Sequence, residues 1–216
     1  MLVRQTWSYA LDHLPDLVLA LRQHVGLSAA AIVLASLICV PLGVWTAHAR
    51  AGRAVVAAVT AARVVPSLAV LAFVLPVLGV GERSALVALV LLACPPILIN
   101  TDIAFRGIAP QLREAALGMG MGPRELVRRV EYPLALPVMI AGLRTSTTEV
   151  IASATLAAFI GAGGLGTFIL DGLANNDMRQ LLLGAVVVAC LALVAEALFA
   201  ALSGRVAVRY GRATGV

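Results

Sequence analysis

The chain contains no lysine; all 16 of its basic residues are arginine. This is a compositional habit with one firm consequence. The phosphate-binding signature G-x-x-x-x-G-K-[ST] is never completed, so the chain has no P-loop of its own. Charged residues of both signs reach only 12%, where a soluble domain carries about 25%. Aromatics amount to 5% and form no cluster. Cys39, Cys94 and Cys190 all lie inside apolar runs without CxxC spacing, which argues for helix packing and against a disulfide framework or a metal site. His13, His24 and His48 are scattered near the ends of apolar runs, not at metal-ligand spacing. No Ser/His, HExxH or paired-carboxylate arrangement supports an enzyme within the membrane. The N-terminus lacks a charged segment followed by an apolar core and a small-residue cleavage site; it carries Asp12, His13 and Asp16 instead, so no cleaved signal is expected.

What the chain has in abundance is apolar residues, 61% of the total, against about 45–50% in soluble domains. This is the composition of a membrane protein, of a length that suggests one domain. The net charge of +5 does not mark a nucleic-acid binder, because the arginines flank apolar runs and form no patch or stripe. A spanning helix needs roughly 20 apolar residues. Five stretches qualify: about 25–48, 54–79, 83–105, 133–160 and 181–203. Helices are the choice because lipid cannot satisfy an open strand edge. The spans are rich in Ala, Gly and Ser, which allow close backbone approach. Pro41, Pro66, Pro76, Pro95 and Pro96 fall inside them and should kink or interrupt helices. Residues 7–23 mix charges with Leu and Val around Pro15, which suggests an interfacial segment and not a sixth span.

Arginine placement gives an orientation. The connections 49–53, 106–132 and 204–216 hold ten arginines: Arg50, Arg53, Arg106, Arg113, Arg124, Arg128, Arg129, Arg205, Arg209 and Arg212. The opposite side holds four: Arg4, Arg22, Arg83 and Arg179. Positively charged loops stay in the cytoplasm, so the expected topology has the N-terminus out and the C-terminus in. The expected organisation is an N-terminal external or interfacial segment, 1–24, a transmembrane domain, 25–203, with a cytoplasmic loop at 106–132, and a cytoplasmic tail, 204–216.

The longest polar stretch is RGIAPQLREAALGMGMGPRELVRRVEYPLALP, between the third and fourth spans. Glu114-Ala115-Ala116 reads as the start of a short helix, with Leu112, Ala115 and Ala116 as its small or apolar contacts. Gly118, Gly120 and Gly122 end it. Pro123 suits the first turn of a second helix, about 123–131. That helix carries Leu126, Val127 and Val130 on one side and Arg124, Arg128 and Arg129 exposed, and Pro133 opens the next span. The result is a charged knob of two short helices hinged at glycine. Composition alone leaves open whether it is an ordinary basic loop or a docking element.

The spacing of Glu114-Ala115-Ala116, Gly120, Val130 and Pro133 resembles the EAA signature of permease subunits of binding-protein-dependent ABC importers. The usual Ile is replaced by Val130 and the usual Leu by Tyr132. The resemblance implies a MetI-like type I permease fold whose loop forms coupling helices seated in a groove of a separate ATP-binding subunit. A carboxylate near a helix start is also favoured by the helix dipole, which gives Glu114 a second role. From about Pro41 to Ile169 the chain resembles osmoprotectant permeases, which take up glycine betaine, choline, carnitine or similar quaternary amines. The pieces VVPSLAVLA, EAALGMGM, VEYPLALPVMIAGLRT and ATLAAFIGAGGLG carry this likeness. Methionine or an anion as the solute is the alternative within the family. A secondary transporter is a more distant one; it would favour inverted repeats, and none is seen. The implied partners are the ATP-binding subunit, holding ATP and Mg, a second permease copy or a sister permease, and a substrate-binding protein. Five spans are too few to enclose a pathway alone. With so few aromatics, solute selectivity is expected to reside in the binding protein. The chain is expected to bind no cofactor and to catalyse nothing itself.

Gly161-Ala-Gly163-Gly164-Leu-Gly166 matches G-x-G-x-x-G, but it follows an apolar helix and lacks the strand a dinucleotide site requires. It reads better as a re-entrant or gate turn. In the resembled family this region lies at the outer mouth of the pathway. Glu149, near the middle of the fourth span, is a candidate pathway carboxylate; pairing with another subunit or with Thr145, Ser146, Thr147, Thr148 or Ser153 is the competing reading. Arg144 is expected to snorkel or pair structurally, and Glu196 to pair between helices. Asn175, Asn176 and Asp177 belong to an external loop, either solvated or touching the binding protein.

Overall fold

The computed structural model describes residues 2–210, and every regular element among them is helical. α1 is Leu2–Asp12, α2 Leu14–His48, α3 Gly52–Ala62, α4 Ser67–Leu78, α5 Glu82–Arg106, α6 Pro110–Gly118 and α7 Pro123–Leu126. A π-helical turn, Val127–Glu131, leads into α8, Tyr132–Ala154. A 3-10 turn, Leu156–Ile160, precedes α9, Gly166–Ala174, and α10, Met178–Tyr210. The predicted tail 204–216 is helical through Tyr210; its residues 211–216, with Arg212, lie outside the described residues.

Among the described residues α2, α5 and α10 are each long and apolar enough to cross a membrane. The predicted span 54–79 is not one straight helix. It is α3 and α4, which pass the same test only as a pair and meet at 98°. Pro66 causes the break: it offers no N–H to α3 and disfavours a helical conformation at Val65. It takes an extended conformation itself (φ −59, ψ 141) and starts α4 as its N-cap. The predicted span 133–160 is α8, with 23 residues, or about 35 Å at 1.5 Å per residue. With the stretch Arg144-Thr-Ser-Thr-Thr-Glu149 inside it, α8 is not among the helices that pass the test for crossing a membrane. The assigned helices run on through Pro41, Pro76, Pro95 and Pro96.

The segment 7–23 is not a separate element. It comprises the end of α1 and the first turns of α2, joined at His13, whose N–H donates to the Tyr9 carbonyl. Pro15 does not interrupt α2; it is the second residue, where its missing N–H leaves no bond unmade. At 35 residues, α2 is about 52 Å long, well beyond the ~30 Å hydrocarbon core.

The chain forms two compact units. One gathers the residues up to Ala35, then Val65–Ala93 and Thr147–Glu196. Its core centres on Ala20, Leu165, Phe168 and Leu183, with Tyr9, Leu17, Leu21, Val187 and Leu191 packed around them. The other gathers Ser36–Val64, Cys94–Ser146 and the residues from Ala197 onward. Its core holds Ala104, Phe105, Ala135 and Met139, flanked by Val40, Val44, Ala47 and Val127. Large apolar side chains remain exposed on α2 (Val33, Leu37, Ile38) and α10 (Val186, Leu193, Leu198). Such contiguous apolar faces fit lipid or another subunit, not water.

Candidate coupling and gate sites

The predicted knob is present, with different boundaries. α6 begins at Pro110, not at Glu114, because Pro110 is pre-set for the first helical turn. Glu114 is therefore its fifth residue, exposed on the surface beside an exposed Ala115, while Ala116 faces inward at 2% exposure. Leu112, Leu117 and Met119 are exposed as well, so Leu112 and Ala115 are surface groups and not internal contacts.

Gly118 is the last residue of α6 rather than a residue past its end. The stop is made at Gly120, in the left-handed region at φ +83. Its N–H donates to the Leu117 carbonyl and that of Met121 to the Ala116 carbonyl, the paired bonds of a glycine-terminated helix. Gly122 precedes α7 in extended conformation.

The second expected helix is not a free-standing piece ending before Pro133. α7, the π turn and α8 run on without interruption, and Pro133 sits half-buried in the first turn of α8. Arg124 and Arg128 are exposed, as predicted. Arg129 pairs with Glu125 one turn away at 3.0 Å, an exposed ion pair worth little to stability.

One residue of this loop went unnoticed in the sequence. Glu131 closes the π turn and is completely buried. Its Oε1 accepts from Arg113 Nε of α6 at 2.5 Å, and its Oε2 lies 3.1 Å from Nε2 of His48, the last residue of α2. Arg113 donates at 2.6 Å from its Nη2 to the Phe105 carbonyl at the end of α5. The His48 Nδ1 lies 2.8 Å from the Val44 carbonyl. Both His48 partners are acceptors.

Beside this cluster, Arg106 binds Asp102 at 2.7 Å and the Thr46 carbonyl at 2.5 Å. Arg113 and Arg106 thus each hold one carboxylate and cap one helix C-terminus, where orphan carbonyls and the helix dipole favour a cation. The wide π turn carries one residue more than an α-helical turn, the kind of local insertion often found at functional sites.

The glycine turn belongs to the other compact unit. Gly161, Gly163 and Gly164 have φ values of +71, +75 and +83, which side-chain-bearing residues avoid. The Gly164 N–H donates to Gln23 Oε1 of α2 at 3.0 Å. A Cβ on Gly163 would lie 2.6 Å from that same oxygen. The neighbouring His24 is buried, with Nε2 3.0 Å from the Ile151 carbonyl. The Gly81 N–H donates to the Ile160 carbonyl at 2.8 Å. The turn is therefore clasped from two sides, and Gly166 begins α9.

Glu149 is half-buried on α8. Arg144 and Glu196 are both engaged with other groups. Asp177 is more than a solvated loop residue: its Oδ1 accepts the Arg179 N–H at 3.0 Å and so caps α10, and its carboxylate also binds the Arg179 guanidinium. A cleft of about 280 Å³ in the same unit is lined by Tyr9, His13, Asp16, Gln23, Phe168 and Asp171, among others. Burial, together with Asp177, Asp16 and Asp171, pushes the Tyr9 phenol above its ordinary pKa, against the opposing pull of Arg179.

Residues 39–208 match the family described as binding-protein-dependent transport system inner membrane component. The chain is 45% identical over 175 residues to a choline transport system permease protein of Bacillus subtilis, covering 81% of each protein. It is 43% identical over 175 residues, again 81% of each, to a glycine betaine/carnitine/choline transport system permease protein of the same organism. It is 38% identical over 197 residues, 88% of this chain and 92% of the relative, to an osmoprotectant import permease protein of Salmonella typhimurium. Among solved structures, the inward-facing MetNI methionine ABC transporter superposes with a TM-score of 0.79 at 23% identity, covering 90% of this chain and 98% of that one. At that identity the likeness speaks for the fold.

Proposed function

We propose an osmoprotectant as the solute of this chain, which belongs to the family of binding-protein-dependent transport system inner membrane components and is a multi-pass membrane subunit of an ABC importer. The solute is glycine betaine, choline, carnitine or a similar quaternary amine. The observation that carries this reading is the 43–45% identity, over most of both chains, to permeases named for those solutes. A methionine permease is the alternative, and the likeness to a methionine transporter supports it in fold only.

In this reading the chain is not an enzyme. ATP and Mg are held by a partner ATPase, and this chain binds neither. The loop 106–132 faces the cytoplasm, with the N-terminus outside, in keeping with the ten arginines of that side. Glu114, Ala115 and Ala116, with Arg124 and Arg128, form the surface offered to the ATPase. The exposed Glu114, Leu117 and Met119 suit a mixed polar and apolar groove. A second permease, the same or a sister, completes the pathway, and a substrate-binding protein delivers the solute. Closure of the ATPase on ATP draws the coupling helices together as rigid bodies and opens the pathway outward. Glu149 attracts the cationic solute within the pathway. The turn holding Gly161, Gly163, Gly164 and Gly166 gates the outer mouth.

The test is uptake by vesicles containing the permease, its ATPase and the binding protein. Labelled glycine betaine should enter only with ATP and be displaced by choline or carnitine but not by methionine. Displacement by methionine, with no effect of any quaternary amine, would overturn the solute assignment.

A further inference from the structure

We infer that Glu131, held between Arg113 and His48, is a positioning residue that locks the coupling helix to the ends of three membrane helices, so that its displacement is transmitted and not absorbed by the flexible links beside it. This rests on the reading of α6 as the coupling helix. By chain connectivity alone, α6 is a poor lever. It is tied to α5 through Gly107-Ile108-Ala109 and to α7 through Met119–Gly122, the second link containing Gly120 and Gly122. A Cβ at Gly118, Gly120 or Gly122 would meet nothing within 4 Å, so the space beside these glycines is open. A push on α6 would flex that link.

The side chains bypass both links. Arg113, in the middle of α6, reaches the last turn of α5 through the Phe105 carbonyl at 2.6 Å and the base of α8 through Glu131 at 2.5 Å. Glu131 passes the connection on to the end of α2 through His48 at 3.1 Å. The joint centres on a buried carboxylate: Glu131 is 0% exposed, with Arg113 and His48 reaching it from partly exposed positions. Charge-assisted bonds shielded from water keep their strength and direction, which surface pairs such as Glu125–Arg129 do not. The π turn matters because it ends on Glu131 within a continuous helical path, so force on the carboxylate loads α8 directly.

The experiment uses the permease assembled with its ATPase. Spin labels are placed at Leu117 of α6 and at Arg50, beyond the end of α2, after replacing the three native cysteines by alanine. The joint predicts one narrow Leu117–Arg50 distance distribution, with and without ATP. Glu131→Gln and, separately, His48→Gln should broaden it. In vesicles the same variants should lower glycine betaine imported per ATP hydrolysed by about fivefold or more, the lower end of typical coupling between sites.

Adding Gly122→Ala to Glu131→Gln should narrow the distribution again and restore part of the ratio. The residue sits at φ −73, ψ 162, where alanine fits and removes chain freedom. A purely structural role for Glu131 predicts no such rescue. A narrow distribution in both single variants, or an unchanged import ratio, overturns the inference. If Glu131→Gln does not assemble, His48→Gln, at a half-exposed position, decides alone. Glu114→Arg serves as the control for the underlying reading: if it leaves ATP-driven import intact, α6 is not the coupling helix, whatever the distances show.

Discussion

Glu131 and Arg113 are 18 residues apart in sequence and 2.5 Å apart in the structure. Between them lie a helix end, a glycine turn and a π-helical turn, and the ion pair closes all three into one unit. A carboxylate buried this completely is tolerable only because both oxygens are bonded. Glu131→Ala leaves Arg113 with only its backbone partner and should destabilise the protein by about 3 kcal/mol, the scale of a broken buried pair. Thermal unfolding of the purified subunit in detergent checks this. A melting temperature equal to the parent's would mean that the pair contributes nothing.

Gly120 ends α6 at φ +83. Gly120→Ala forces a side chain into the left-handed region and should cost about 1 kcal/mol. Gly118→Ala, inside the helix with open space around it, should instead be stabilising by up to about 1 kcal/mol. Paired melting curves separate the two, and equal shifts of the same sign would contradict the assignment of the hinge.

Gly163→Ala should impair import more than it impairs folding. The new methyl meets Gln23 Oε1 at 2.6 Å, so Gln23 must swing away and release its bond to Gly164. Combining it with Gln23→Ala should recover part of the transport rate, since the obstruction is then gone. Lack of any recovery in the double variant would show that Gln23 is not the group being struck.

Asp177 gives a pH dependence of known sign. Its hydrogen bond to the Arg179 side chain holds its carboxyl below the ordinary carboxylate value. A depressed value in the folded chain means that the contribution is complete above the unfolded pKa, about 3.9. It then fades as the pH falls through the folded value. Asp177→Asn should therefore flatten the acid limb of the stability curve below about pH 4 while changing its shape little near neutrality. Melting temperatures across that range, compared between the two proteins, provide the check.

The long apolar runs made most of the fold legible: α2, α5 and α10 fall where the 25–48, 83–105 and 181–203 stretches indicate. Helix ends were less so. Pro66 announced a disturbance, but only the packed chain sets it at 98°. Proline at Pro110 and Pro15 marked helix starts several residues before the expected ones. In the loop between α5 and α8, Glu114, Arg124 and Arg128 are exposed, whereas the sequence pattern does not single out Glu131. In sequence it is one more charge after Arg128 and Arg129. Its burial comes from the π turn, a register change that no residue type signals by itself. One clue was present: Glu131 falls four and five residues after Val127 and Leu126, on the apolar side of the helix, where a carboxylate needs a partner.

Arg106 and Arg113 do double duty, and the two duties differ in what they require. Setting the orientation of a nascent chain needs only positive charge, which lysine supplies equally well. Capping a helix while gripping a carboxylate needs a planar fork with donors pointing two ways, which an ammonium group lacks. Substituting lysine at these positions would therefore give a chain that inserts as before yet fails to consolidate the helix ends around α6. For these two sites the want of lysine has a geometric reason: membrane insertion treats the two cations as synonyms, and the finished structure does not.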